Sequence, residues 1–339
     1  MYMEKSFIIE RYSKEKEREW DNFIANTGIN GTFLQSRRFL NYHPKDRFVD
    51  ASYMIYNSKK KLIAVCPACE KIEMDRRILF SHGGSTYGGV IVSKDVYKAC
   101  KLIDMLKALE QMWIQDGFES VILKQTPDLF SIHHMDLLQY ALYYCGFQEA
   151  KELNLYVDLE KCPEDILSIF SQGKRTNVHN CQKEGLFIKS LSIYEEIKQF
   201  HALLSITLKK YDRTPVHTVD ELYEFQNERL KDKCEIFGIY NQEGHMISGS
   251  MMFYFNQIHV AHTQYLCANP EYNKLSPMTF AYYSMIVEMK KRGYQKVSWG
   301  IATEDMGRYL NEGLVTSKEC FGSEHSINSI WIKEIAVRE

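Results

Sequence analysis

The sequence predicts an α/β (α+β) chain of two domains built to one plan, each a mixed, mainly antiparallel sheet flanked by helices. Three observations predict it. Two long stretches pass through the same order of elements: meander strands, a long helix, a strand and a second helix. Gly117-Phe118-Glu119-Ser120-Val121 and Gly293-Tyr294-Gln295-Lys296-Val297 both close the long helix and open a strand. Farther on, Gly146 and Gly313 each end the following helix before another strand, so the halves repeat with a period of roughly 170 residues, the scale of a domain duplication and not of a solenoid. A length of 339 residues suits two cores, and the expected domains are 1–155 and 156–339.

The second copy is the plainer to read. "LFIKSLS" reads as a strand, and "IYEEIKQFHALLSITLKKYD" and "TVDELYEFQNERLKD" as helices with apolar residues at helical spacing. "CEIFGIYN", "HMISGSMMFYFN" and "QIHVAHTQYLCA" follow as three strands, parted by Asn-Gln-Glu-Gly and Asn-Gln turn signals that suit an antiparallel meander. "TFAYYSMIVEMKKRG" is the long helix, stopped by Gly293 with Lys290, Lys291 and Arg292 in its last turn. The strand "QKVSWG", a short helix around "EDMGRYLNEG" and the strands "VTSKECFG" and "SINSIWIKEI" complete the copy.

In the first copy "ASYMIYNS", "KLIAVCPACEKI" and "RILFSH" form the meander. "YKACKLIDMLKALEQMWIQDG" is the long helix, "SVILKQT" the next strand and "MDLLQYALYYCG" the second helix. Cys66 and Cys69 in "VCPAC" have the spacing of redox and zinc sites, but no second such pair exists and the stretch reads as a strand, so no metal is expected. Nine scattered cysteines fit reduced thiols.

Composition is that of a soluble globular protein, 45% hydrophobic and 25% charged, which excludes disordered and fibrous classes. A formal net charge of -2 gives no global pull toward nucleic acid or an anionic membrane, leaving only local basic clefts. The opening "MYMEKSFIIERYS" is too short an apolar run for a signal peptide, and no stretch approaches the roughly 20 apolar residues of a membrane helix. A cytoplasmic protein without membrane insertion is expected.

"FSQGKRTNVHNCQKEG" resembles half of a phosphate-binding loop. It lacks the second glycine, and Arg175 stands where Ser or Thr must follow the lysine. Ahead of it "PEDILSIFSQ" reads as a helix with Pro163 at its first position. What remains is a basic, amide-bearing segment containing Lys174, Arg175 and Asn177.

Strand, two helices, three meander strands, helix, strand, helix and two strands is the order of the GNAT acyltransferase fold, present twice. "TFLQSRRFLNYH" is similar to the Gln-Ser signature of the Fem-type peptidyltransferases, and "KRTNVHNCQKEGLFI" resembles the basic helix opening their second domain. "YQKVSWG" and "SKECFG" resemble the family's late strand ending in Gly and its lysine-bearing segment before Phe-Gly. The resemblance spans nearly the whole chain, and related twin-GNAT proteins of polysaccharide and capsule functions match it in length. It implies acyl transfer to an amine or hydroxyl of a charged cell-envelope or polysaccharide precursor, in a cleft between domains. The donor would be an acyl-CoA or, as in the Fem enzymes, an aminoacyl-tRNA. The glycine-rich loop that binds coenzyme A pyrophosphate in GNAT enzymes is replaced by "EYNKLSPM" in the second copy and by "GGSTYGGVIVSKDVY" in the first.

Such chemistry needs the nucleophile held close, its proton relayed and donors aimed at the oxyanion. Under the resemblance Lys318 supports the donor or the oxyanion, from one face of the strand "VTSKECF". His262 and Tyr265 sit on the last meander strand, where GNAT enzymes hold donor and acceptor, against the alternative of core packing. His43 stands where the Fem pattern has lysine, which makes that charge pH-dependent. In "FSHGGSTYGG" the glycines, Gly83 and Gly84 among them, permit close backbone approach, with His82 and Tyr87 as the side chains on offer. Lys174 and Arg175 would bind phosphate or carboxylate on substrate, beside Asn177. A contrasting reading is a non-catalytic module that binds a glycan or a protein partner.

Overall fold

The computed structural model of the chain describes residues 7–43, 47–210 and 212–335. They divide into two compact units, one of residues 7–152, 306–308 and 327–335, the other of 153–305 and 309–326. The boundary thus falls within two long strands, and the chain's last strand returns to the first unit.

The first unit runs β1 (Phe7–Arg11), α1 (Glu17–Asn26), α2 (Arg37–Leu40), β2 (Val49–Asp50), β3 (Tyr53–Asn57), β4 (Leu62–Cys66), β5 (Cys69–Glu73), β6 (Arg76–Phe80), β7 (Ile91–Val92), α3 (Ala99–Gln115), β8 (Ser120–Lys124) and α4 (Asp136–Tyr144). β9 (Gln148–Asp158) leads into the second unit. One sheet has the order β1-β3-β4-β7, and β8, β6, β5 and β2 are neighbours in another. "KLIAVCPACEKI" is therefore not one strand. It divides into β4 and β5, which lie in different sheets. Pro67 is the reason, since it has no N–H to give a ladder. α3 turns Leu102, Met105, Leu106, Leu109 and Trp113 inward at helical spacing, into the core that also holds Val121 and Leu123 of β8.

The second unit continues with α5 (Gln172–Lys183), β10 (Phe187–Leu191), α6 (Tyr194–Lys209), α7 (Val219–Glu224), β11 (Cys234–Tyr240), β12 (Met246–Phe255), β13 (Val260–Ala268), α8 (Pro277–Lys291), β14 (Lys296–Ile301), β15 (Thr303–Glu304), β16 (Tyr309–Leu310) and α9 (Glu312–Glu319), and ends in β17 (Glu324–Glu334). Its sheet runs β10-β11-β12-β13-β14-β9. Neighbours are antiparallel except β13 and β14, which are parallel. Every residue of β12 is buried, as a central strand covered on both faces requires. α8 covers it with Phe280, Ala281, Met285, Ile286 and Met289.

Four sequence expectations are corrected here. "PEDILSIFSQ" is helical only as a single 3-10 turn, Ile166–Ile169, begun by the Asp165 side chain accepting from the Leu167 amide at 3.0 Å. "EDMGRYLNEG" is helical only in its last two residues, which open α9: before them run the end of β15, a 3-10 turn and β16, with left-handed backbone at Asp305 and Met306. "VTSKECFG" is no strand. Its Val315–Glu319 portion lies in α9, whose start is fixed by the Asn311 side chain accepting from the Leu314 amide at 3.0 Å. Gly313 accordingly sits inside α9, and Gly322, at φ 73°, is the glycine that follows it. Gly146 does follow α4, at φ 84°.

Candidate functional site

The parallel ladder of the second unit is short. β13 pairs β14 through Val260, Ala261 and His262, opposite Lys296, Val297 and Ser298, and then stops. β13 runs on to Ala268 with β12 still beside it, while β14 bends away through a register shift between Ser298 and Gly300. Gly300 makes the bend at φ 77°, a conformation that favours glycine. The two strands splay from His262 and Ser298 onward, and Thr263 to Leu266 line the opening half-exposed.

Buried polar groups converge on that fork. The His262 ring is held by Nδ1 at 3.1 Å from the Ser298 hydroxyl. Ser298 Oγ lies 3.2 Å from Asn154 Oδ1, and Asn154 in turn donates to Ser326 Oγ at 2.9 Å. Burial, followed by the nearby Lys318 charge, pushes the His262 imidazole down to about 3, so it is neutral at physiological pH. Lys318, on α9 and 4% exposed, donates to the carbonyls of Trp299 at 2.9 Å, Gly300 at 3.1 Å and Ile301 at 2.9 Å. Its three N–H groups are thereby engaged, and burial lowers its pKa to about 8. The lysine therefore stands beneath the bend of β14, not on an exposed strand face. Tyr265 lies farther along β13, with its hydroxyl 2.8 Å from His217 Nδ1. The His217 carbonyl lies 3.0 Å from His201 Nε2.

On α5, Lys174 packs its ammonium 4.7 Å from the centre of the Phe321 ring and 3.5 Å from Oγ of Ser317, the residue directly before Lys318. Burial lowers its pKa. Arg175 donates to the Gln172 side chain at 3.0 Å and, with Asn177, is partly exposed. Gly173 falls within α5, which leaves no phosphate loop. Tyr282 and Trp299 are core, ring centroids 4.6 Å apart.

The first unit shows what closes such a fork. β6 and β8 are parallel from Ile78 and Ser120 to Phe80 and Ile122. Beyond them the Ser81 amide donates to Ile122, the Lys124 amide to Ser81 Oγ at 2.6 Å, and the Gly88 amide to Lys124 at 2.8 Å. Gln35 of the Gln-Ser signature braces this loop, donating to the Gly88 carbonyl at 3.0 Å and to Thr126 Oγ1 at 2.7 Å, while Ser36 caps α2. The chain fills this opening with itself.

His43, His82, Gly83 and Gly84 come together beside it. His43 Nε2 is 3.0 Å from the Gly84 carbonyl, and its ring lies 6.2 Å from that of His82 in near-parallel stacking. The Gly84 amide donates to His82 Nδ1 at 3.2 Å. His82 is only 3% exposed, and burial, with Arg37 and His43, takes it down to about 4. Tyr87 is as buried, stacked 5.5 Å from Phe130, with its pKa raised by burial. Neither His82 nor Tyr87 is therefore an open side chain of the loop, which corrects the sequence expectation. Cys66 is sealed in, its thiol pushed up to about 12, and Cys69 Sγ accepts from the Gly83 amide at 3.2 Å.

Solved structures share this fold. The chain matches a crystal structure of FemX at a TM-score of 0.66 and 13% identity, over 96% of each chain. It matches L-PGS from Bacillus licheniformis at 0.62 and 16%, over 97% of this chain and 94% of that one. A tandem GNAT protein from the clavulanic acid biosynthesis pathway matches at 0.57 and 10%, over 98% and 100%. The chain has the tandem GNAT fold. Within it the open fork between β13 and β14 belongs to the second GNAT unit, and the first GNAT unit carries the closed one. No family model and no curated protein sequence matches the chain. Sequence reading did not single out Ser298 and Asn154, which carry the polar network under His262, or His217, which meets Tyr265; Ser298 had a signal, since it directly precedes Trp-Gly in the late strand. No helix among the described residues is long and apolar enough to cross a membrane.

Proposed function

We propose that the chain is an acyltransferase whose reacting centre is the fork between β13 and β14. The observation that carries this is the end of the parallel ladder at His262 and Ser298, with a buried polar network at its apex and the half-exposed stretch from Thr263 to Leu266 beyond it. An acyl carbonyl laid along β13 meets strand amides able to stabilise its oxyanion, at positions fixed before reaction. An amine, or a hydroxyl, of a charged cell-envelope or polysaccharide precursor attacks that carbonyl and the thiol or alcohol of the donor leaves. Neutral His262 orients and cannot accept a proton strongly at neutral pH. Lys318 is a positioning residue that holds the bend of β14, and Tyr265 is the hydroxyl placed to relay a proton. Lys174 and Arg175 offer positive charge to the precursor. A fold neighbour described as the C-terminal domain of a putative lysylphosphatidylglycerol synthetase is in keeping with an envelope acceptor.

A specific observation favours an aminoacyl-tRNA over an acyl-CoA as donor. Pro277 at the start of α8 has no N–H, the Ser276 amide donates to Asn273 at 3.0 Å, and the Thr279 amide donates to Ser276 at 2.9 Å. A pyrophosphate at this helix start finds few amides to bind. The deciding experiment follows thermal stabilisation by acetyl-CoA, coenzyme A and charged tRNA, because a ligand of the folded state raises apparent stability. A saturable shift with charged tRNA alone supports the ester donor, and a shift with acetyl-CoA overturns it in favour of the thioester. Silence with all of them removes the acyltransferase reading.

A further inference from the structure

The first unit also holds a wide, open-mouthed cavity of about 530 Å³ that acyl transfer does not use. This lies within the roughly 300–1,000 Å³ of small-molecule sites. Four aromatic rings line it: Tyr140 and Tyr143, one helical turn apart on α4, with Phe147 and Trp331. Phe147 and Trp331 are buried, but Tyr140 is 53% exposed and Tyr143 is 71% exposed. Rings left this open in a concave site offer an apolar face that gains free energy when covered.

The rest of the lining is polar. Asp136 and Glu149 supply carboxylate acceptors, and Gln139 and Gln148 supply amides that both donate and accept. Glu149 is already held, taking a hydrogen bond from Ser329 Oγ at 2.7 Å and lying 3.3 Å from Lys151 Nζ. Asp136 sits in the first turn of α4, where the helix dipole favours its charge. The site is thus neither a cation trap nor a phosphate site: one carboxylate is neutralised by lysine, and no Arg or Lys lines the cavity. A ligand with a flat C–H face and a rim of uncharged hydroxyls matches both the rings and the polar edge.

We propose that this cavity binds a neutral saccharide, stacked on Tyr140 and Tyr143 and hydrogen-bonded at its edge by Asp136, Gln139, Gln148 and Glu149. The proposal does not rest on acyl transfer. It is tested by titrating the full chain with N-acetylglucosamine trisaccharide and maltotriose, following tryptophan fluorescence and calorimetry. Trp331→Phe assigns the optical signal among the four tryptophans. Saturable binding of either sugar with a Kd on the order of 1 mM or tighter, weakened about tenfold or more by Tyr143→Ala at unchanged Tm, is the expected result. Binding indifferent to both Tyr143→Ala and Tyr140→Ala overturns the proposal. So does no saturation by either sugar up to about 20 mM, or saturation by the diamine putrescine in their place. Because binding is read without donor or turnover, its outcome is separate from that of the acyltransferase reading.

Discussion

The ammonium of Lys318, carried on α9, donates to the main-chain carbonyl of Trp299, on β14, at 2.9 Å. With the Gly300 and Ile301 carbonyls it forms a three-point clamp on the bend that opens the fork. Lys318→Met keeps the length of the side chain and removes the donors, leaving buried carbonyls without their partner. The expected loss is about 3 kcal/mol of stability, the scale of a buried charged hydrogen-bonding group. Chemical denaturation checks it, and unchanged stability together with unchanged transfer would show that the bend holds without the clamp.

His262 gives an acid-stability prediction. Its folded pKa is about 3, pressed down by burial and then by Lys318, against an ordinary value of 6.5. Between those values the unfolded chain binds a proton that the folded chain does not, so stability rises with pH across this window and falls as pH drops from about 6.5 toward 3. The slope from this one group is at most about 1.4 kcal/mol per pH unit. His262→Asn should flatten the difference between denaturation midpoints at pH 6.5 and pH 5. An identical pH dependence in variant and wild type would mean that the histidine is not buried neutral.

Much of this was legible in local sequence. The meander β11-β12-β13 is spelled out by β-branched and aromatic runs between turn residues, and the stop of α8 by Gly293, which takes φ 81°. α9 was hidden because Val315, Ser317 and Glu319 alternate with other types as a strand would. Asn311 three residues before Leu314 was the overlooked cap, and Val315 and Lys318 share the buried face at helical spacing. That placement moved Lys318 from an exposed face to a buried clamp. The return of β17 to pair with β8, Ile330 opposite Lys124, is a long-range pairing that no local pattern announces. The closed fork of the first unit was equally unreadable, since it depends on Gln35 reaching Gly88 and Thr126 across the fold.

Gly84 has little room. A Cβ there would stand 1.7 Å from His43 Nε2, so the imidazole must leave its place. Gly84→Ala is expected to destabilise by about 1–3 kcal/mol, the usual range for an overpacked site. It should also abolish the near-parallel His43–His82 stack, read as a shift of the two imidazole resonances by NMR. Unperturbed resonances with full stability would show the His43 ring is not seated against Gly84.

Tyr265 tests the proton relay. Its hydroxyl meets His217 Nδ1 at 2.8 Å while its ring packs edge-on to the imidazole, centroids 5.7 Å apart. Tyr265→Phe retains the ring packing and loses only the hydroxyl, so the stability loss should be about 1 kcal/mol. If the hydroxyl relays the proton, kcat falls about 10²-fold with KM little changed, the scale for a removed acid–base group. His217→Gln should act in the same direction, and the double variant should lose no more than either alone, because both serve one bond. A full additive loss, or a change confined to KM, would place Tyr265 in substrate binding and take it out of the relay.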